Sequence, residues 1–299
     1  MTSSPLIIDG KVVSAALLER VQREAEALRA AHGINPGLAV VLVGDDPASA
    51  SYVRSKGKMC ERLGFLSRTE RREATISQEE LLDLVRELNE DPAIHGILVQ
   101  SPLPRHIDAH AVVEAIDYRK DVDGFHPNNV GRLTIGMSAL EPCTPAGVLE
   151  MLVHYGIETS GRRTVIVGRS NIVGKPLAVM MMQRRPGGDA IVTVAHSAAR
   201  DLGAITREAE ILVAAIGRPR FITAEMVREG AVVIDVGINR IDDPNSPKGS
   251  RVVGDVDYED VFSKVSAITP VPGGVGLMTI AMLMQNTVKA ARSAANGGE

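Results

Sequence analysis

Thr164-Val165-Ile166-Val167-Gly168-Arg169-Ser170-Asn171-Ile172-Val173-Gly174-Lys175-Pro176 is the stretch that decides the fold. Four β-branched residues predict a buried strand. A glycine-bounded turn follows, and Pro176 suits the first position of a helix. This is a strand, a tight turn and a helix N-terminus, the local arrangement that receives a pyrophosphate in dinucleotide-binding folds. The turn is not GxGxxG. Ser170 stands at the second position and there is one extra residue. Gly168 still permits a tight exit from the strand, Ser170 offers a hydroxyl, and Gly174 allows close helix–strand packing. Read by itself, the same turn is equally compatible with a purely structural role.

Outward from it, strand-like and helix-like runs alternate along the whole chain. After this turn come a helix over Pro176–Arg184 and strands at Ala190–Ala195, Ile211–Ala215, Val232–Val236 and Ala267–Ile268. Before it come helical patterns at Val13–Ala31, Asp46–Gly64, Ser77–Asn89 and one ending at Val112–Ile116. Strands are expected at Leu38–Val43, Phe65–Arg68 and Gly96–Val99. The alternation predicts an α/β protein with parallel sheets. Lys120–Arg132 is polar and turn-rich, and Pro142-Cys143-Thr144-Pro145 is a second breaker cluster. A linking helix over Ala146–Tyr155 then divides a first domain, 1–146, from a second, 147–276. A long helix over 277–299 is expected to pack back on the first domain.

The strand ending Ala195-His196-Ser197 carries no carboxylate until Asp201, whereas Arg169 and Arg200 are near in sequence. An NAD site usually has an acidic residue there for the ribose 2′-hydroxyl. Cations and a hydroxyl point instead to a 2′-phosphate, hence NADP, with solvated arginines as the alternative. Asp235-Val236-Gly237-Ile238-Asn239 ends another buried strand, so Gly237 and Ile238 are placed to wall a nicotinamide. Pro272-Gly273-Gly274-Val275-Gly276 opens the last helix and offers backbone N–H groups to an anion or a ligand carbonyl.

Lys56 is the most informative single residue. Asp46 is a good N-cap, Pro47 fits the first turn and Gly64 fits the stop. Tyr52, Lys56, Met59, Cys60 and Leu63 form one stripe, with Arg54, Lys58, Glu61 and Arg62 on the wetter side. A lysine on a core face is desolvated, which lowers its pKa and makes a usable base. The alternative is a lysine that snorkels to water.

The 299 residues suggest two domains, and 44% hydrophobic content allows a full core. A net charge of −4 with only short basic tracts does not suggest a nucleic-acid partner. Two cysteines are too few for a disulfide framework and fit a reducing cytoplasm. There is no signal pattern at the start, no apolar run of membrane-spanning length, and no ligand-spaced cluster that would indicate a metal.

Six segments then occur in order: Tyr52-Val53-Arg54-Ser55-Lys56, Val99-Gln100-Ser101-Pro102-Leu103-Pro104, Lys120-Asp121-Val122-Asp123-Gly124-Phe125-His126-Pro127, Gly168–Pro176, Asp235–Asn239 and Thr269–Gly276. Over essentially the whole chain, from Ile8-Asp9-Gly10 onward, the sequence resembles the bifunctional methylenetetrahydrofolate dehydrogenase/methenyltetrahydrofolate cyclohydrolase family. The resemblance implies two α/β domains around a cleft, the second Rossmann-like and NADP-binding. It also implies a cytoplasmic homodimer paired through the second domain, acting on tetrahydrofolate derivatives, with a product that feeds purine synthesis and formylation.

Residue by residue, the resemblance implies catalytic or substrate-binding roles for Tyr52, Lys56, Gln100 and Asp123. Val99, Ser101, Pro272, Gly273 and Gly276 would complete the folate site. Gly168, Arg169, Ser170, Ile172, Gly174, His196, Ser197, Gly237 and Ile238 would hold NADP. Lys56 would be base and proton shuttle, Gln100 would hold it and the attacking water, Tyr52 would pack on the folate ring, and Asp123 would accept pterin N–H groups. Asp121 either joins them or only braces its turn. Ser101, Tyr118 and Leu277 depart from the family's usual Leu, Pro and Pro, and Ala198 and Ala199 replace a common basic or hydroxyl residue. Two rival readings are an NADP dehydrogenase for another small substrate and an NADP-binding sensor without turnover.

Overall fold

The computed structural model describes residues 4–244, 246 and 249–297. Its first elements are β1 (Leu6–Ile7), α1 (Gly10–His32), β2 (Gly37–Val43), α2 (Pro47–Leu63), β3 (Leu66–Arg72), α3 (Gln78–Glu90) and β4 (Gly96–Val99). Then come α4 (Ala109–Ala115), α5 (Pro127–Thr134), α6 (Cys143–His154), β5 (Arg163–Val167), α7 (Gly174–Met182), β6 (Ile191–Ala195), α8 (Leu202–Thr206) and β7 (Ile211–Ala214). The last are β8 (Val232–Asp235), β9 (Asn239–Asp242), β10 (Ser250–Val253), α9 (Tyr258–Phe262), β11 (Ala267–Ile268) and α10 (Gly276–Ala295).

These elements form two compact units. One comprises Ala16–Cys143 and the chain from Ile280 onward. Its parallel sheet has the order β3-β2-β4. β2 is buried along its whole length, as a central parallel strand should be. Leu81, Leu84, Val85 and Leu88 of α3 pack with Ile94, Ile97, Val112 and Ile116 in one core cluster. Local signals define α3 closely: Ser77 and Glu80 form a complete capping box. α2 begins at the Asp46 cap, with Asp46 accepting from the Ser49 N–H at 2.7 Å, and ends at Gly64 in the left-handed conformation.

The other unit comprises the residues up to Ala15 and Thr144–Thr279. Its parallel sheet has the order β1-β11-β8-β7-β5-β6. Neighbours β5 and β7 lie on either side of the point where strand order reverses, the position at which doubly wound folds bind ligands. The N-terminal residues belong here, not with the 1–146 domain expected from sequence. Leu6 and Ile7 pair in parallel with Ala267 and Ile268, an apposition of segments distant in the chain that no local pattern announces.

Candidate active site

In the first unit, α2 presents Ser49, Val53, Lys56, Cys60 and Leu63 to the interior. The buried stripe therefore differs from the one expected: Tyr52 is 47% exposed, and Met59 is only partly buried. Lys56 is on that face, 8% exposed, so the snorkelling alternative fails. Its Nζ donates to Gln100 Oε1 at 2.9 Å. Gln100 follows β4, with its backbone N–H on Val41 O at 2.8 Å. Its Nε2 donates to Ser101 O at 2.8 Å, which orients the amide oxygen toward the lysine. Burial lowers the Lys56 pKa, against the opposing attraction of Asp123. Tyr52, one turn before Lys56, keeps its ring open to solvent rather than in the core.

Asp123 lies in the segment that continues the sheet edge beside β4, where Ile97 bridges Asp121. Burial pushes the Asp123 carboxyl up to about 6, against the pull of Lys56, with nearby Asp121 adding to the rise. Asp121 is itself buried. Its Oδ2 accepts from the His126 N–H at 2.7 Å and Asn129 Nδ2 at 3.0 Å. Asp121 is thus the brace of the turn, and His126 is the N-cap of α5. Neither Asn286 nor Cys143 stood out in the sequence as a site residue. Asn286, buried on α10, donates to Val122 O and Glu141 O, both at 2.8 Å, and so holds the Asp121–Gly124 turn. The buried Cys143 thiol, held well above its ordinary pKa by burial, donates to Val122 O at 3.3 Å. The only hint of Asn286 in sequence was an amide inside an apolar helical run.

In the second unit, Gly168 leaves β5 with φ +133°, and a Cβ there would collide with the Ala215 carbonyl. A Cβ on Gly174 would collide with the Gly168 carbonyl. The turn therefore closes on itself and brings backbone close to any ligand at the switch point. Ser170 Oγ accepts from Val173 N–H at 3.2 Å and Gly174 N–H at 3.3 Å, which closes the turn ahead of α7. α7 starts at Gly174, two residues before Pro176, and its N-cap residue Val173 makes no side-chain cap bond. Arg169, Ser170 and Ile172 are exposed around the turn, and Arg169 has no ion-pair partner among the described residues. His196 and Ser197 follow β6, with His196 Nδ1 accepting from Ala198 N–H at 3.2 Å.

Gly237 follows β8 and Ile238 is exposed beside it. A Cβ on Gly276 would meet Ile238 Cδ1 at 3.0 Å, so the Pro272–Gly276 segment lies against the Gly237–Ile238 wall. The Gly273 carbonyl accepts from Gly10 N–H at 2.9 Å. Within the described residues, no three or more His, Cys, Asp or Glu side chains cluster to hold a metal, and no helix is long and apolar enough to cross a membrane.

Two protein-family models match the chain. Residues 8–123 match the tetrahydrofolate dehydrogenase/cyclohydrolase catalytic domain, and residues 142–295 match the NAD(P)-binding domain of the same family. The bifunctional protein FolD of Chlorobium phaeovibrioides is 56% identical over 285 residues, spanning 95% of this chain and 97% of that one. The crystal structure of the bifunctional FolD methylenetetrahydrofolate dehydrogenase/cyclohydrolase from Campylobacter jejuni superposes with a TM-score of 0.91 at 47% identity, covering 97% and 100% of the two chains. That of the Trypanosoma brucei dehydrogenase-cyclohydrolase, complexed with NADP cofactor and inhibitor, has a TM-score of 0.91 at 38% identity over 98% and 99%.

Proposed function

The chain belongs to the tetrahydrofolate dehydrogenase/cyclohydrolase family, and on that premise we propose that Lys56, Gln100, Asp123 and Tyr52 carry its folate chemistry while the Gly168–Gly174 turn holds its cofactor. It is a bifunctional enzyme: it oxidises 5,10-methylenetetrahydrofolate to the 5,10-methenyl compound with NADP, then hydrolyses that to 10-formyltetrahydrofolate.

The observation that carries the residue assignment is the buried Lys56 amine, 2.9 Å from an oriented Gln100 oxygen and within electrostatic reach of Asp123. Lys56 in its neutral form accepts a proton from water as it adds to the bridge carbon, then returns one to the nitrogen that leaves. The net hydrolysis releases one proton. A cationic methenyl substrate beside it lowers the lysine pKa further and favours the neutral base. Gln100 holds the amine in place, Asp123 accepts N–H groups of the pterin, and the open Tyr52 ring covers its face.

NADP, when bound, supplies the hydride acceptor. The turn in which Gly168 and Gly174 leave no room for a Cβ suits its pyrophosphate, and Arg169, exposed at the turn, suits the 2′-phosphate. Gly237 and Ile238 wall the ring.

The enzyme is a cytoplasmic homodimer in this reading, paired through the second unit. Edge strand β6 supports the pairing. It exposes Ile191, 61% accessible, and Val194, whereas edge strand β3 carries Arg68, Glu70 and Arg72. The test of function is spectroscopic. Methylenetetrahydrofolate with NADP should give methenyl absorbance that then decays. Formation without decay removes the hydrolytic assignment, and no formation with either cofactor removes both.

A further inference from the structure

At the carboxyl edge of the six-stranded sheet, the wholly buried Asp255 carboxylate lies between two loops. Its Oδ2 accepts the backbone N–H groups of Ile216 at 2.6 Å and Gly217 at 2.9 Å. Its Oδ1 accepts the Arg218 N–H at 3.0 Å and the Asn239 side-chain amide at 2.8 Å. Successive amides of the turn after β7 thus converge on one side chain, and Asn239 adds the segment after β8.

Asp255 is itself held. Its N–H donates to Asp235 Oδ1 at 2.9 Å, the oxygen that also takes the Gly237 N–H at 2.9 Å, and the Val256 N–H reaches Asp235 Oδ2 at 2.9 Å. Two close approaches complete the layer. A Cβ on Gly237 would collide with the Asp255 carboxylate, and a Cβ on Gly168 would collide with the Ala215 carbonyl, one residue before the Asp255-bound turn. The Gly168 turn, the 215–218 turn and the Gly237–Ile238 wall therefore rest on one another, with Asp255 beneath the last two.

We infer that Asp255 is a positioning residue for the dinucleotide: by gathering the 216–218 turn and Asn239 onto one carboxylate, it sets the spacing between the Gly168–Gly174 cradle and the Gly237–Ile238 wall. The inference rests on the reading of that cradle and wall as the cofactor site. A carboxylate suits the place because it only accepts, through two oxygens with about four lone-pair directions. The donors here are all N–H groups. Asparagine would keep one accepting oxygen and turn an NH2 against N–H groups.

The test compares wild type, Asp255→Asn and Asn239→Ala in NADP titration, in dehydrogenase kinetics, and in hydrolysis of methenyltetrahydrofolate supplied directly. Asp255→Asn is expected to stay folded and to raise the NADP Kd and KM by about tenfold to a hundredfold, the weight of hydrogen bonds to a charged acceptor. Hydrolysis should stay within about twofold, because Lys56, Gln100 and Asp123 belong to the other unit. Asn239→Ala, which removes one donor, should raise the NADP KM severalfold.

A merely structural role predicts both activities falling together with the folded fraction, at unchanged Kd of the folded protein. That result overturns the inference, as does an unchanged NADP Kd in Asp255→Asn. If Asp255→Asn does not fold, Asn239→Ala decides: an unaltered NADP Kd there overturns it. Wild type that binds no NADP would overturn the cofactor reading itself, independently of either variant.

Discussion

With Lys56 as the proposed base, its replacement by methionine should separate the hydrolytic chemistry from the fold. Methionine keeps an unbranched apolar stem in the space that α2 gives Lys56 and removes the amine that donates to Gln100. A positioned general base contributes roughly 10²–10⁴ in rate, so the variant should lose about 2.7–5.4 kcal/mol of transition-state stabilisation in hydrolysis. Two effects on stability oppose one another. Losing a desolvated ammonium relieves a cost, whereas Asp123 loses the charge that lowers its pKa and shifts further above about 6. Gln100 is only half-buried, so water replaces its lost donor, and the net change should stay within about 2 kcal/mol.

The pH dependence has a definite sign. The folded-state pKa of Lys56 lies below its unfolded value of 10.5. Between the two, the unfolded chain binds more protons, so the wild type gains stability as pH rises through that window. The methionine variant lacks this gain, and its advantage over wild type should shrink as pH rises. Wild-type hydrolysis should also increase with pH as the amine loses its proton, while the variant's residual rate stays flat. Decay of methenyltetrahydrofolate absorbance measures the rate, and circular dichroism with NADP titration checks the fold. Hydrolysis within threefold of wild type, roughly 0.65 kcal/mol, refutes the role of Lys56 as base.

On the proposed role of Asp123 as acceptor of pterin N–H groups, the folate KM should rise as pH falls through about 6, and Asp123→Asn should have a uniformly high KM without that inflection. The same raised pKa means the folded state holds its proton more tightly than the unfolded chain. Asp123→Asn should therefore be relatively more stable above pH 6 than below pH 4, measured by denaturant melts at both. Arg169→Ala should raise the NADP KM by about tenfold or more while leaving the NAD KM within about twofold, and equal changes in both would dismiss the 2′-phosphate contact. Gly168→Ala meets both a φ of +133° and the Ala215 carbonyl. It should cost more than about 2 kcal/mol and abolish NADP binding in a calorimetric titration.

Periodicity and caps are local, and they suffice for the α/β class, the alternation of elements and several boundaries. β4 is Gly96–Val99 as the apolar run indicates, and Ser77 with Glu80 starts α3 as a capping box should. Lys56 can be singled out because a cation within an apolar stripe is itself a local anomaly. What that stripe is cannot be settled locally. Tyr52 and Met59 share its spacing but not its burial, since a helix face several residues wide is divided only by what packs against it.

α5 shows the same limit. Pro127, Asn128, Asn129 and Gly131 read as a turn, yet a helix forms because His126 caps it and Asn129 is bound to Asp121. The apposition of Leu6–Ile7 with β11, the hold of Asn286 on the Val122 and Glu141 carbonyls, and the gathering of two loops onto Asp255 all join residues far apart in the chain. Sequence alone determined which chemical groups this protein carries and on which kind of element each sits, because those depend on neighbours within a few residues. Only the tertiary structure decided which groups are desolvated and which donors meet which acceptors, because burial and hydrogen-bond partners depend on distances through space rather than along the chain.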